Sequence, residues 1–179
     1  MALQSLVAPD ESGVRKVESR VDVDSQLIQS VVDRLVDAYC GPLDRFMAGV
    51  KPVLEDTQRP ITDDELEAAM LKITSLRYFT GDAMENLGIK MDIAESVRKE
   101  VYNAARDAAV GTVADKNSIA EVKSVDETLV KAAYERAYRK IKLKLELSSD
   151  VYSALKRVMD KRMKELMRLG ESRGSGDSL

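Results

Sequence analysis

The chain has 179 residues, 44% of them hydrophobic and 33% charged, with 4% aromatics, no tryptophan and a formal net charge of -3. That suffices for one domain with a core, and high charge with few breakers describes long exposed helices rather than a β-sandwich. The absence of histidine removes the commonest general base, the commonest metal ligand and the physiological-pH switch. A lone cysteine, Cys40, cannot make an internal disulfide and reads as a small buried hydrophobe in a reducing compartment. No apolar run approaches the ~20 residues of a membrane span. The first residues lack the basic start and apolar stretch of a secretory leader, so the expectation is a cytoplasmic protein without a membrane partner.

Residues 1–23 are polar, with Pro9 and Gly13, and read as a loose arm. Leu27, Ile28, Val31, Val32, Leu35 and Val36 recur at three- and four-residue steps and predict a helix over about 25–39. Gly41-Pro42 should stop it, with Pro42 in the first turn of a short second helix carrying Leu43, Phe46, Met47 and Val50 up to Pro52. Residues 24–60 thus form a region of short helices, a candidate partner-binding addition, ending in a loop at Gln58-Arg59-Pro60.

Thr62-Asp-Asp-Glu65 has the spacing of a capping box, in which hydroxyl and carboxylate each bond the other residue's amide. The helix it opens should bury Leu66, Met70, Ile73, Leu76 and Phe79 and end at Gly88. Asp92-Ile-Ala-Glu95 opens a further helix in the same manner, with a small-residue stripe from Val97 to Ala109, and Gly111 to Asn117 reads as a turn. Ser118-Ile-Ala-Glu121 and Ser124-Val-Asp-Glu127 are both candidate starts for a last helix reaching about Leu169. Its stripe comprises Val130, Tyr134, Ala137, Ile141, Leu145, Ser148, Tyr152, Leu155, Met159 and Leu166. Such a helix is on the order of 60 Å long. One small domain cannot cover its whole apolar face. Val130, Tyr134, Ile141, Leu145, Tyr152, Leu155, Met159 and Leu166 are therefore candidates for packing on another chain. The expected architecture is all-α, an elongated helical bundle with a helical core and oligomerisation region over 61–169 and a flexible tail over 170–179.

No catalytic arrangement is recognisable. Nucleophilic serine or cysteine chemistry lacks its histidine, and no phosphate-binding glycine loop is present. A Mg²⁺ site on helical carboxylates, as in helical nucleotide hydrolases, could use Asp64, Glu65 and Glu67 or Asp92 and Glu95. Acidic residues at helix starts have a simpler use against the helix dipole. The expectation is a protein with no enzymatic activity, no metal and no cofactor.

The basic residues form the other candidate set. Residues 1–124 carry 15 Lys and Arg against 22 Asp and Glu, and residues from Val125 onward carry 13 against 9. An acidic front and a basic rear suit polyanion binding or head-to-tail self-association. Lys131, Arg136, Arg139, Lys140, Lys142 and Lys144 cluster with Tyr134 and Tyr138, and Lys156, Arg157, Lys161, Arg162, Lys164 and Arg168 follow. Sequence-neutral single-strand binding uses cations beside aromatic rings in this way. The plainer alternative is that such cations merely solvate a helix face while the tyrosines belong to the apolar stripe. Arg98, Lys99, Arg106 and Lys116 form a second basic group.

One stretch is similar to a known family. Ala94-Glu-Ser-Val-Arg-Lys-Glu-Val-Tyr-Asn-Ala-Ala-Arg-Asp-Ala-Ala-Val-Gly111 precedes a short loop and Ser118-Ile-Ala-Glu-Val-Lys. Tyr134-x-x-Ala-Tyr-Arg-Lys-Ile-Lys and Leu155-Lys follow. This order resembles the UvsY-type phage recombination mediators over roughly residues 70–168. The resemblance implies a ring-like homo-oligomer built through C-terminal helices. It further implies single-stranded DNA binding, displacement of single-strand-binding protein and loading of a RecA-like recombinase in an infected bacterial host. Arg106 falls at a position where the family uses a basic residue on DNA, with Arg98 and Lys99 just before it; Asn103 departs from the pattern. The candidate nucleic-acid set is Arg98, Lys99, Arg106, Lys116, Arg139, Lys140, Lys142 and Lys144. The alternative reading is a helical structural or assembly protein, such as a virion component, scaffold or assembly chaperone.

Overall fold

A computed structural model describes residues 11–55 and 61–174, and among them the protein is all-α. Its elements are α1 (Glu11–Glu55), α2 (Asp63–Ala108), α3 (Val113–Lys123) and α4 (Val125–Gly174). Contacts divide the chain into two units. One comprises the chain up to Leu35 with Lys90–Ala137; the other comprises Val36–Ile89 with the chain from Tyr138 onward. Each of α1, α2 and α4 therefore contributes one stretch to each unit.

The predicted breaks at Pro42 and Pro52 are absent, and helix occupies part of the stretches read as arm and tail, whose remaining residues lie outside the described ones. Helix α1 begins at Glu11, inside the stretch read as an arm, and runs through Pro42 and Pro52. Helix α4 extends to Gly174. An interior proline removes one backbone hydrogen bond and crowds the preceding turn, typically at ~3 kcal/mol. The helix persists because Val32, Val36, Cys40 and Leu43 are buried at four-, four- and three-residue steps, so the apolar face continues straight across Gly41-Pro42. An exposed pair of Arg45 and Asp37 lies over Gly41, whose missing side chain leaves room for it.

Helix α2 likewise passes Gly88 without ending. Gly88 lies beside the Tyr138 ring, 3.7 Å from where its Cβ would stand. Asp92 and Glu95 are consequently mid-helix, and Asp92-Ile-Ala-Glu95 caps nothing. The box at Thr62 does form. The Thr62 amide donates to Glu65 Oε2 at 2.9 Å and the Glu65 amide donates to Thr62 Oγ1 at 3.2 Å.

The last helix, α4, begins at Val125, directly after Ser124, one of its two predicted starts, whereas α3 begins at Val113, inside the stretch read as a turn. Gly111 takes φ +132°, a conformation L side chains rarely adopt, and turns the chain into Thr112. Thr112 and Asp115 then make the reciprocal cap. The Asp115 carboxylate is held below its ordinary range by the Thr112 hydroxyl and amide. Ser124, buried, is the single residue between α3 and α4; its hydroxyl donates to the Glu121 carbonyl and its own carbonyl accepts from the Thr128 amide.

In the second unit Leu66, Ile73 and Leu155 form a buried cluster. Phe46, Met47, Ile61, Ala69, Met70, Val151 and Tyr152 pack against it. This joins α1, α2 and α4 around one core. Leu76 is half-buried, and Phe79, expected inside, is 65% exposed.

Candidate nucleic-acid interface

The two halves of the predicted basic set fall in different units. Arg98, Lys99, Arg106 and Lys116 belong to the first, and Arg139, Lys140, Lys142 and Lys144 to the second.

In the first unit the basic residues gather around Glu95. Arg98 donates to its carboxylate through two nitrogens at 3.0 and 3.2 Å, Lys99 lies at 3.3 Å, and Lys131 reaches it from α4 at 2.8 Å. Arg98, then Lys131 and Lys99, hold the Glu95 carboxyl far below the usual carboxylate range, outweighing desolvation. Glu95 in turn raises the Lys131 ammonium above its ordinary value. Arg98 and Lys131 are three-quarters covered and geometrically committed to this node. Lys99 keeps most of its surface in solvent, Arg106 is exposed and Lys116 is half-buried.

In the second unit Lys144 sits 2.6 Å from both oxygens of Asp44 on α1. The pair covers most of both side chains and adjoins Cys40, whose thiol is pushed up to about 11, first by burial and then by the Asp44 charge, against Lys144. A thiol so placed is inert at neutral pH. Lower on α4, Arg162 donates to Asp63 at the start of α2, at 2.7 Å. Part of the acidic-front, basic-rear asymmetry is thus satisfied inside the unit. Arg139 and Lys142 are exposed and Lys140 is half-buried.

No protein-family model matches this chain, and neither does any curated protein or solved structure. The site is therefore read from its own residues.

The candidate oligomerisation stripe divides. Ile141 and Leu155 are fully buried within the chain, Leu155 in the cluster with Leu66 and Ile73 under side chains of α1 and α2. Ser148, between them, is buried and donates to the Leu145 carbonyl, so it sits in the stripe without an unmet donor. Leu145, Tyr152 and Met159 are half-buried. Leu166 is 57% exposed, because α4 runs on past Arg162 with its apolar face uncovered. In the first unit Val130 and half-buried Tyr134 separate two apolar grooves. One, of about 390 Å³, is completed by Ile93, Ala94 and Val97, and the other, of about 430 Å³, by Leu27, Ile28 and Val31.

Two of the carboxylates considered for Mg²⁺ have other tasks. Glu65 caps α2, and Glu95 is ringed by cations. Among the described residues no group of three or more His, Cys, Asp and Glu could hold a metal ion. No helix among them is long and apolar enough to cross a membrane.

Asp44 and Asp63 were invisible as partners in the sequence, being about 100 positions from the cations they meet. The exposed aromatic pair Tyr78 and Phe79 was also missed. Two adjacent rings on a helix point 100° apart, so the pair could have been flagged as unable to share the inward face.

Proposed function

We propose that this chain is a non-enzymatic, single-stranded DNA-binding recombination mediator that helps load a RecA-like recombinase in phage recombination and repair. The supporting observation is the sign of the solvent face of α4. Between Arg139 and Arg168 it exposes Arg139, Lys142, Lys156, Arg157, Lys161, Lys164 and Arg168 against Glu146, Asp150, Asp160 and Glu165. Its acids are too few to neutralise it, and a polyanion fits the surplus. Individually weak phosphate contacts become useful when several copies present them together, which is how a mediator would hold an extended strand while a recombinase docks elsewhere. The exposed members of the original set on these helices, Arg106, Arg139 and Lys142, stay in this reading. Arg98 and Lys144 leave it, since pulling either onto DNA would strand a partly covered carboxylate.

A second reading, a helical structural or assembly protein, is favoured by the pairing of Arg98, Lys131 and Lys144 and by the apolar side chains left in solvent, among them Leu71, Tyr78, Phe79 and Leu166.

Fluorescence anisotropy of a labelled single-stranded oligonucleotide, with duplex of equal length alongside, separates the two. If Arg139, Lys142, Lys156 and Arg157 each neutralise one phosphate, affinity falls about 50-fold between about 50 and 200 mM salt. Reversing those four to Glu removes most of that slope. Absence of binding at the lowest salt refutes the mediator and leaves the assembly protein.

A further inference from the structure

Two surfaces of the second unit are chemically complementary, and within the chain the Asp63–Arg162 pair already joins their edges. The first is the end of α4. Met163, Leu166 and Met167 are 48%, 57% and 62% exposed there. Leu166 continues the stripe that buries Leu155 and Ser148, but α2 begins at Asp63, level with Arg162, and covers nothing beyond. From Lys156 to Arg168 this end carries six basic residues against Asp160 and Glu165.

The second surface is the outward face of α2. Leu71, Tyr78 and Phe79 are 65%, 68% and 65% exposed, and the two rings stand edge to face at 5.6 Å. Leu71 and Tyr78, seven residues apart, lie along one line of the helix, and Asp64, Glu67, Asp82 and Glu85 are exposed at the same or adjoining angles. From Asp63 to Glu85 there are six acids against Lys72 and half-buried Arg77. Aromatic side chains are enriched at interface cores, and tyrosine is among the residues that dominate their energetics. The acids around Tyr78 and Phe79 repel nucleic acid and call for a basic, apolar partner.

We propose that the basic apolar end of α4 docks on the acidic aromatic face of α2 in a second copy of this chain. Charge selects this arrangement. Packing two α4 ends together opposes Lys161, Lys164 and Arg168 to their own kind, and packing two α2 faces together opposes carboxylates. Only the mixed contact joins opposite signs, and the Asp63–Arg162 pair already uses the same combination within one chain. The contact is head to tail, so each copy offers one free face of each kind and the assembly grows into a ring or a filament. Lys161, Lys164 and Arg168 are occupied in it, while Arg139, Lys142, Lys156 and Arg157 stay outside. Assembly is independent of the DNA reading and is measured without DNA.

The test is sedimentation velocity of the full chain over about 1–100 μM, a range that brackets ordinary interface affinities, with helicity monitored by circular dichroism. Wild type should form species larger than a dimer that dissociate on dilution and in high salt. Leu166→Asp with Met167→Asp, and separately Leu71→Lys with Tyr78→Lys, should each weaken association at least ~30-fold, the scale of a hot-spot loss. Mixed, the two variants should yield a one-to-one heterodimer and nothing larger, because each retains the face the other lacks. If the apolar changes misfold, Lys164→Glu with Arg168→Glu replaces the first variant. Wild type monomeric at the highest concentration overturns the proposal, as does either folded variant assembling normally or the mixture failing to associate. A monomeric wild type that binds anionic lipid vesicles through Leu166 and Met167 would overturn it in favour of a membrane surface.

Discussion

Leu155→Ala asks whether the long stripe of α4 works inside the chain or between chains. Leu155 is 1% exposed and packed with Leu66 and Ile73 among side chains from α1, α2 and α4. Truncation removes three carbons, about 2.4 kcal/mol at ~0.8 kcal/mol each. Three helices meeting at one cluster cannot collapse fully into the gap, so a residual cavity raises the cost to about 3–4 kcal/mol. That is a large share of the 5–15 kcal/mol stability of a typical domain. For a chain of this size it lowers Tm by roughly 6–15 °C. Chemical denaturation followed by helicity, at two protein concentrations tenfold apart, reads the loss directly. Because the contacts are intramolecular, the loss should be the same at both concentrations. Leu166→Ala, at a solvent-exposed position of the same stripe, should change monomer stability by less than ~0.5 kcal/mol. A Leu155→Ala penalty below ~1 kcal/mol, or one that grows on dilution, would refute the argument and return Leu155 to an intermolecular seam.

Two further outcomes follow from local chemistry. Glu95 has its carboxyl depressed far below its ordinary 4.5, so the stabilisation it contributes is fully present above 4.5 and disappears as pH falls below that value. The stability gap between wild type and Glu95→Gln should therefore narrow from about pH 5 downward in acid titrations of the denaturation midpoint; a gap independent of pH would remove the Arg98–Lys131–Lys99 node as its cause. Gly81→Ala and Gly88→Ala should each stabilise the protein by about 0.5–1 kcal/mol, since both lie inside α2, with open space at Gly81 and ordinary contact with Tyr138 at Gly88. Destabilisation at Gly88 would indicate the left-handed helix stop that the Gly88-Ile89 pattern suggested.

The candidate interface was half legible. Exposed Arg106, Arg139 and Lys142 could be named because lysine- and arginine-rich helix faces announce themselves in composition. Which cations of the set are held in the ion pairs with Glu95 and Asp44 could not be told from composition. Arg98 pairs with Glu95 at three residues' distance, which the sequence does carry, but Lys131 meets the same carboxylate across 36 positions and Lys144 meets Asp44 across 100. Whether a cation is available to a ligand depends on which helix lies beside it, and spacing along one helix is silent on that.

Composition and periodicity by themselves determined the helical class, the capping box at Thr62, the inward stripe from Ala137 to Leu155 and the want of histidine chemistry. These are local properties, decided within a few turns of one helix. Tertiary structure alone decided that Pro42 and Gly88 lie within helices, since a breaker's cost of ~1–3 kcal/mol is outweighed when the apolar face on both sides is covered by other helices. It also decided where α4's stripe is covered and where it emerges into solvent. Leu155 and Leu166 occupy the same face of one helix, and what separates them is that α1 and α2 extend far enough to cover the first and not the second.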